Sequence, residues 1–432
     1  MVGRSIAFLF CCLITAYSGC GKRPNMDVNP MPAPNIHAES QDLQEAQVAA
    51  ANAKTSTNKF AFDLYRDLAA SETNVVFSPF SISLALAMTY AGAKDDTESA
   101  LRKVFYFGDN TLDFHKSYGE FASTLTERDR QQNDSKLMLS NGLWLQSGYN
   151  VLAAFKNTLN DAYHSKLTEL DFENDPKSAT RIINTAVATE TEGEISELLK
   201  QQLLKATRFV ITNAIYFKSM WRSPFDADDT KRRNFNKADG TSLPTDFMMK
   251  THHFPYAEDA QKQVLMMPYK DDDFAAVFIL PREKQLSVVE DGLNDQAFDA
   301  ILGGLSKKNV DMWLPKFSER LSPNLKDALI KRGLGVLFDK DRANLTGVAK
   351  RSPTEENLYV GNVIHEAVVK MYEKGTTAAA ATAVVGLKAT AIPSKPDGVV
   401  EFHADRPFLF FIIHKPSKTI LFMGRLFTPN MP

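Results

Sequence analysis

Disulfide chemistry is excluded from any folded part of this chain. Its three cysteines, Cys11, Cys12 and Cys20, all lie within the first twenty residues, so stability further on must come from packing. No charge of either sign predominates. Fifty basic against 52 acidic residues leave a net charge of −2, which offers nucleic acid no general electrostatic attraction. Lys231-Arg232-Arg233 is too short to reverse that and reads as solvated surface. Several catalytic and nucleotide-binding signatures are missing: there is no G-x-S-x-G elbow, Walker loop, G-x-G-x-x-G or H-E-x-x-H. His365-Glu366 lacks a second histidine, and His252-His253 lacks a third ligand at a recognisable spacing, so neither implies a metal. No cofactor is implied either. A triad assembled from distant residues would leave no local trace, so an enzyme stays open on these grounds alone. No internal repeat is visible, which argues against solenoids and propellers.

What is present begins with an export signal. Arg4 precedes an apolar stretch from Ile6 to Ala16 and then Tyr17-Ser18-Gly19-Cys20. The stretch is too short for a comfortable membrane span. Its end resembles a bacterial lipobox, with Cys20 as the lipidated first residue of the mature protein, although Tyr17 stands where Leu is usual. Ordinary secretion with cleavage nearby is the alternative. Residues 1–20 are therefore read as the signal. Residues 21–54, rich in Pro, Asn, Gln and Ala with a helix-prone later part, are read as a flexible tether.

Beyond the tether, 44% hydrophobic and 24% charged residues describe a globular protein rather than a disordered one. At 432 residues, two domains or one large α+β unit both fit. Phe60, Leu64 and Leu68 are spaced for an amphipathic helix. Ser78 is a candidate N-cap, Pro79 suits the first helical position, and Gly92 is a candidate stop. The helix between them is small or apolar nearly all round, so it is expected to be buried on every side, with Ser81 and Ser83 needing partners inside. Phe209 to Phe217 reads as a buried strand, residues 363–372 alternate, and Phe408 to Ile413 with Thr419 to Met423 form a hairpin signal.

The most informative stretch runs from Glu373-Lys374-Gly375-Thr376 through the alanines Ala378, Ala379, Ala380 and Ala381 to Val385. From Thr376 to Leu387 it has neither proline nor charge. Read with period two, either side could be buried without stranding a charge. The same segment could live in water as a loop, enter a sheet as a strand, or form an Ala-rich helical turn.

In their order along the chain, several blocks resemble a serpin. They are Asn74 to Gly92, Asn141-Gly142-Leu143-Trp144, Thr191-Glu192-Gly193-Glu194-Ile195, Thr212 to Trp221, Leu314-Pro315-Lys316-Phe317, the segment from Glu373, and Asp405 to Phe410. The likeness covers residues 55–432. Ala186 departs from it, since the family usually places Trp there. The resemblance implies one α+β unit with a large central, mostly antiparallel sheet, smaller sheets, surrounding helices and an exposed reactive-centre loop at about residues 373–400. It also implies that the sheet can open to accept the loop as a new strand after a target protease has attacked it. In that scheme Glu373, Gly375, Thr376 and Ala378 to Ala381 form the hinge. Ser78, Ser81, Asn213 and His365 match a polar cluster beneath the parting sheet, and Trp221 matches a residue near the top opening. Counting from Glu373, the family spacing puts the cleaved bond between Ala389 and Thr390; Lys388 with Ala389 is the second choice.

The partners implied are serine proteases, with cysteine proteases as a further class, trapped as covalent acyl complexes by an inhibitor with no catalytic residue of its own. Ala389 suits elastase-like or subtilisin-like pockets, and Lys388 a trypsin-like one. The competing reading is a non-inhibitory carrier, chaperone or storage protein. Such proteins tend to carry bulky, charged or proline residues in the hinge, which Thr376 to Ala383 lacks. The expected molecule is an exported monomer, at the cell envelope or secreted, touching membrane only through a lipid on Cys20.

Overall fold

The computed structural model describes residues 36–131, 135–283, 285–350, 357–376 and 398–430. The chain divides into Met1–Asp42, mostly outside those residues, and Leu43–Pro432, which holds the sheets of the described residues. Helix α1 runs Ile36–Leu68. The later part of the segment read as a tether is therefore helical, in keeping with an Ala-rich run that favours helix once the early prolines are past. Phe60 and Leu64 are fully buried in the main core and Leu68 packs half-buried against it.

Helix α2, Pro79–Tyr90, forms as its end signals require. The Ser78 hydroxyl accepts from the Ser81 N–H at 3.2 Å, Pro79 fills the first position, and all twelve helical residues are buried. Gly92 does not end the helix by adopting a left-handed conformation. It is needed because a Cβ there would stand 2.3 Å from Val348 Cγ2, and Gly347 donates to its carbonyl at 3.0 Å. Ser81 finds its buried partners, while the Ser83 hydroxyl has none among the described residues.

Two large sheets frame the core. A nine-stranded sheet includes the hairpin Phe408–His414 and Thr419–Leu426, all of whose residues are buried. The six-stranded sheet contains the strands designated here, in chain order, β1 (Ser135–Gln146), β2 (Leu167–Leu170), β3 (Phe209–Met220), β4 (Phe317–Leu321), β5 (Asn362–Tyr372) and β6 (Gly375–Thr376). Their spatial order is β4-β5-β6-β3-β1-β2. The sheet is mixed but mostly antiparallel, the parallel pairs being β3 with β5 and β1 with β2.

One face of this sheet rests on α2 and the other is covered by helix α3 (Pro176–Glu190) and the chain that follows it. Asp175 caps α3 by accepting from the Ser178 N–H at 3.0 Å. Pro176, Ala179, Ile183 and Val187 form its buried stripe. Ala186, small where the resemblance expects Trp, packs half-buried beside Trp144, Ile183 and Val210. After α3, Glu192 and Gly193 take φ of 51° and 82°, a tight reversal braced by Thr191. The reversal lays Ile195 and Leu198 over Ala214, Tyr216 and Val368.

Candidate functional site

β3 and β5 are parallel neighbours from Asn362 opposite Val210 to Val368 opposite Tyr216. Above that the seam is split. The chain leaves β5, turns at Glu373-Lys374 and returns as β6, whose Thr376 stands between Met371 of β5 and Ser219 of β3. Thr376 is fully buried. Its hydroxyl lies 2.6 Å from the Tyr269 hydroxyl, and burial pushes that phenol up. Gly375 is required by space: a Cβ there would stand 2.0 Å from the Ser219 carbonyl oxygen.

The turn is held from three sides. Trp221 stacks on Tyr269, with centroids 4.4 Å apart and planes at 13°. Its indole N–H donates to the Tyr372 carbonyl at 2.9 Å and its backbone N–H to the Lys374 carbonyl at 2.8 Å. Glu373 receives the Lys316 ammonium and the Thr230 hydroxyl, both at 2.9 Å, and the Phe225 N–H donates to its carbonyl at 2.8 Å. Burial works against ionisation of Glu373, but the bond from Lys316, helped by its own backbone N–H and by Thr230, holds its carboxyl below the usual range.

Lower on the same seam, Asn141 of β1, Asn213 of β3 and His365 of β5 lie side by side in one row. Beneath them is the N-terminus of α2. The Ser78 N–H donates to His365 Nε2 at 3.1 Å, so the other imidazole nitrogen carries the proton and donates to Asn213 Oδ1. Asn213 Nδ2 donates to the Ser81 carbonyl at 2.9 Å and is also within reach of the Ser81 hydroxyl and Asn141 Oδ1. The Ser78 hydroxyl donates to the Leu421 carbonyl at 2.5 Å. Burial lowers His365 to about 3, keeping it neutral. Glu366 points to the opposite face, where Arg320 donates to it at 2.7 Å.

The structure thus brings Ser78, Ser81, Asn213 and His365 into one network, and Trp221, Glu373, Gly375 and Thr376 into another, both on the β3–β5 seam. Ala378 to Ala381, Lys388, Ala389, Thr390 and Cys20 lie outside the described residues. The sequence reading missed Tyr269, Lys316 and Thr230 at the turn, and Asn141 in the polar row. Asn141 and Lys316 fall inside blocks that carried the resemblance, whereas Tyr269 has no local signature. Among the described residues no three His, Cys, Asp or Glu side chains come together as metal ligands, and no helix is long and apolar enough to cross a membrane.

Residues 55–429 match the family model described as serpin (serine protease inhibitor). An uncharacterized serpin-like protein of Thermococcus kodakarensis is 36% identical, covering 86% of this chain and 85% of its own. Leukocyte elastase inhibitor A of Rattus norvegicus is 33% identical, covering 87% of this chain and 99% of its own. The crystal structure of human thyroxine-binding globulin superposes with a TM-score of 0.78 at 27% identity, over 88% of this chain and all of that one. These likenesses are archaeal and mammalian, so they add nothing to the bacterial reading of the leader.

Proposed function

The chain belongs to the serpin family, and on that premise we propose that it is a suicide-substrate inhibitor of serine proteases. The observation that carries this reading is the seating of Gly375 and Thr376 between β3 and β5, where a new strand would have to enter. Extending the observed register downward gives one self-consistent insertion. Counted along β5 and along β3 alike, Thr382 comes opposite His365 and Asn213, and Ala381 opposite Glu366 and Ala214. The inner face of the inserted strand is then Thr376, Ala378, Ala380, Thr382 and Val384. A hydroxyl arrives at the polar row, and alanines arrive beside Phe217, Val369, Ile215 and Ala367.

In the inserted strand, Ala389 lies thirteen residues beyond Thr376, so a protease acylated there is carried roughly 45 Å along the sheet. Misplacing catalytic groups by even about 1 Å can slow a reaction ~100-fold, so this displacement suffices to stall deacylation. The inhibitor contributes bait and a sheet, with no catalytic residue of its own. The reactive bond is Ala389-Thr390, which directs the protein toward elastase-like or subtilisin-like enzymes. The leader ending at Cys20 supports export, with the domain tethered to the cell envelope through lipid on that cysteine.

The test is incubation of the intact domain with elastase, subtilisin and trypsin, followed by denaturing electrophoresis and mass spectrometry. A denaturant-resistant conjugate with the first two enzymes is expected, releasing a C-terminal peptide that begins at Thr390. A peptide beginning at Ala389, with a trypsin conjugate, moves the bond to Lys388. Clean cleavage without any conjugate overturns inhibition in favour of a carrier or storage role.

A further inference from the structure

The strand Ser242–Glu258 pairs with Lys262–Pro268 only from Tyr256 to Glu258, and from Tyr256 back to Phe247 it runs along Ser306–Pro315. The two strands diverge, leaving a cleft between His252–Pro255 on one side and Met267–Pro268 on the other, bounded by Arg222 and Lys307. Its volume is about 410 Å³, within the range of small-molecule sites. The walls divide by chemistry. Phe254, Pro255, Met267 and Pro268 supply apolar surface, while Arg222, His252, His253 and Lys307 carry or can acquire positive charge.

Among the described residues no carboxylate lines the cleft. The acid bound to its rim, Asp272, sits behind Arg222 and also takes the Lys415 ammonium at 2.6 Å. Lys250 adds a further positive charge on the same strand, donating to the Pro224 carbonyl at 2.6 Å, with Asp226 near it. His252 is pushed below its usual value by burial and then by Lys250, His253 and Lys307. These cations therefore repel one another around an apolar hollow.

We propose that this cleft binds a small organic anion with an apolar body, of the class of aromatic carboxylates and sulfonates. The ring lies against Met267 and Pro268, and the anionic group meets His252, His253 and Lys307. Binding favours the protonated His252 imidazole, whose neighbouring cations an anion would offset, so affinity rises as pH falls. The site stands whether or not the chain inhibits proteases. It nevertheless adjoins the turn above the seam: the Arg222 N–H donates to the Pro268 carbonyl at 3.0 Å, and the next residues inward are Trp221 and Tyr269.

Calorimetric titration of the full chain with naphthalene-2-sulfonate, inorganic sulfate and neutral 2-naphthol tests this. The sulfonate is expected to occupy one site, at least fivefold more tightly at pH 5.5 than at pH 8, with sulfate and naphthol each at least tenfold weaker. His253 and Lys307 are exposed, so the double variant His253→Gln, Lys307→Gln leaves the fold intact and should weaken sulfonate binding at least tenfold. Undiminished binding by that variant, pH-independent binding, binding of sulfate or naphthol as tight as that of the sulfonate, or no binding of any probe overturns the site.

Discussion

His365 and Glu319 are buried ionisable side chains with opposite effects on pH stability. His365 falls to about 3 on burial, so below pH 6.5 the unfolded chain takes up a proton that the native state refuses. Its contribution is complete above pH 6.5 and is lost as pH falls toward 3, at about 1.4 kcal/mol per unit. Glu319, on the edge strand β4, is raised to about 7 by burial, against hydrogen bonds from Asn74 at 2.9 Å and Asn430 at 3.0 Å. Its contribution is complete below pH 4.5 and is lost as pH rises through 7. Burial raises Glu366 as well, with the same sign, despite Arg320. In wild type the slopes of His365 and of His115, which burial lowers to about 4, oppose those of the acids between about pH 4.5 and 6.5. His365→Gln should unmask the acids, giving a urea midpoint that falls steadily from pH 4.5 to 7. A variant profile parallel to that of wild type would refute the neutral, buried histidine, and a flat one the raised acids.

At the scale of the element, the proposed mechanism turns on β6. Thr376→Arg places a guanidinium where Tyr269, Met371 and Ser219 leave a fully buried site, and a charge without a partner there is strongly disfavoured. The variant should be cleaved as a substrate with conjugate yield reduced at least tenfold, read as the ratio of conjugate to cleaved chain on denaturing gels; undiminished conjugate would contradict the hinge assignment. The elements that could be read along the chain are those with local signals: a capping serine and proline for α2, and alternation for β5. Tyr269 and Lys316 could not be read that way, because they approach the turn only after strands far apart in sequence have paired. Gly92 stands just past the end of α2, as read, but its need for smallness could not be read for the same reason: it comes from Val348, some 250 residues later in the chain.

For the whole molecule, the β3–β5 seam is parallel and its replacement would be antiparallel on both sides, a slightly better ladder per residue. About ten further residues would gain sheet hydrogen bonds worth ~1 kcal/mol each, on the order of 10 kcal/mol in all, so on the proposed mechanism the intact form would be held kinetically. Calorimetry should place the melting temperature of the cleaved, inserted form more than about 10 °C above that of the intact one, and coincident melting curves would remove the proposed driving force. The seating of Thr376 adds something about timing. In ordered chain growth the slow event is making the first contact, because ends must be brought together before any bond rewards the loss of freedom. Here that contact already exists, so under the proposed mechanism a cut loop would start from a ready-made seed, and its contest with hydrolysis would be decided by the speed of zippering alone.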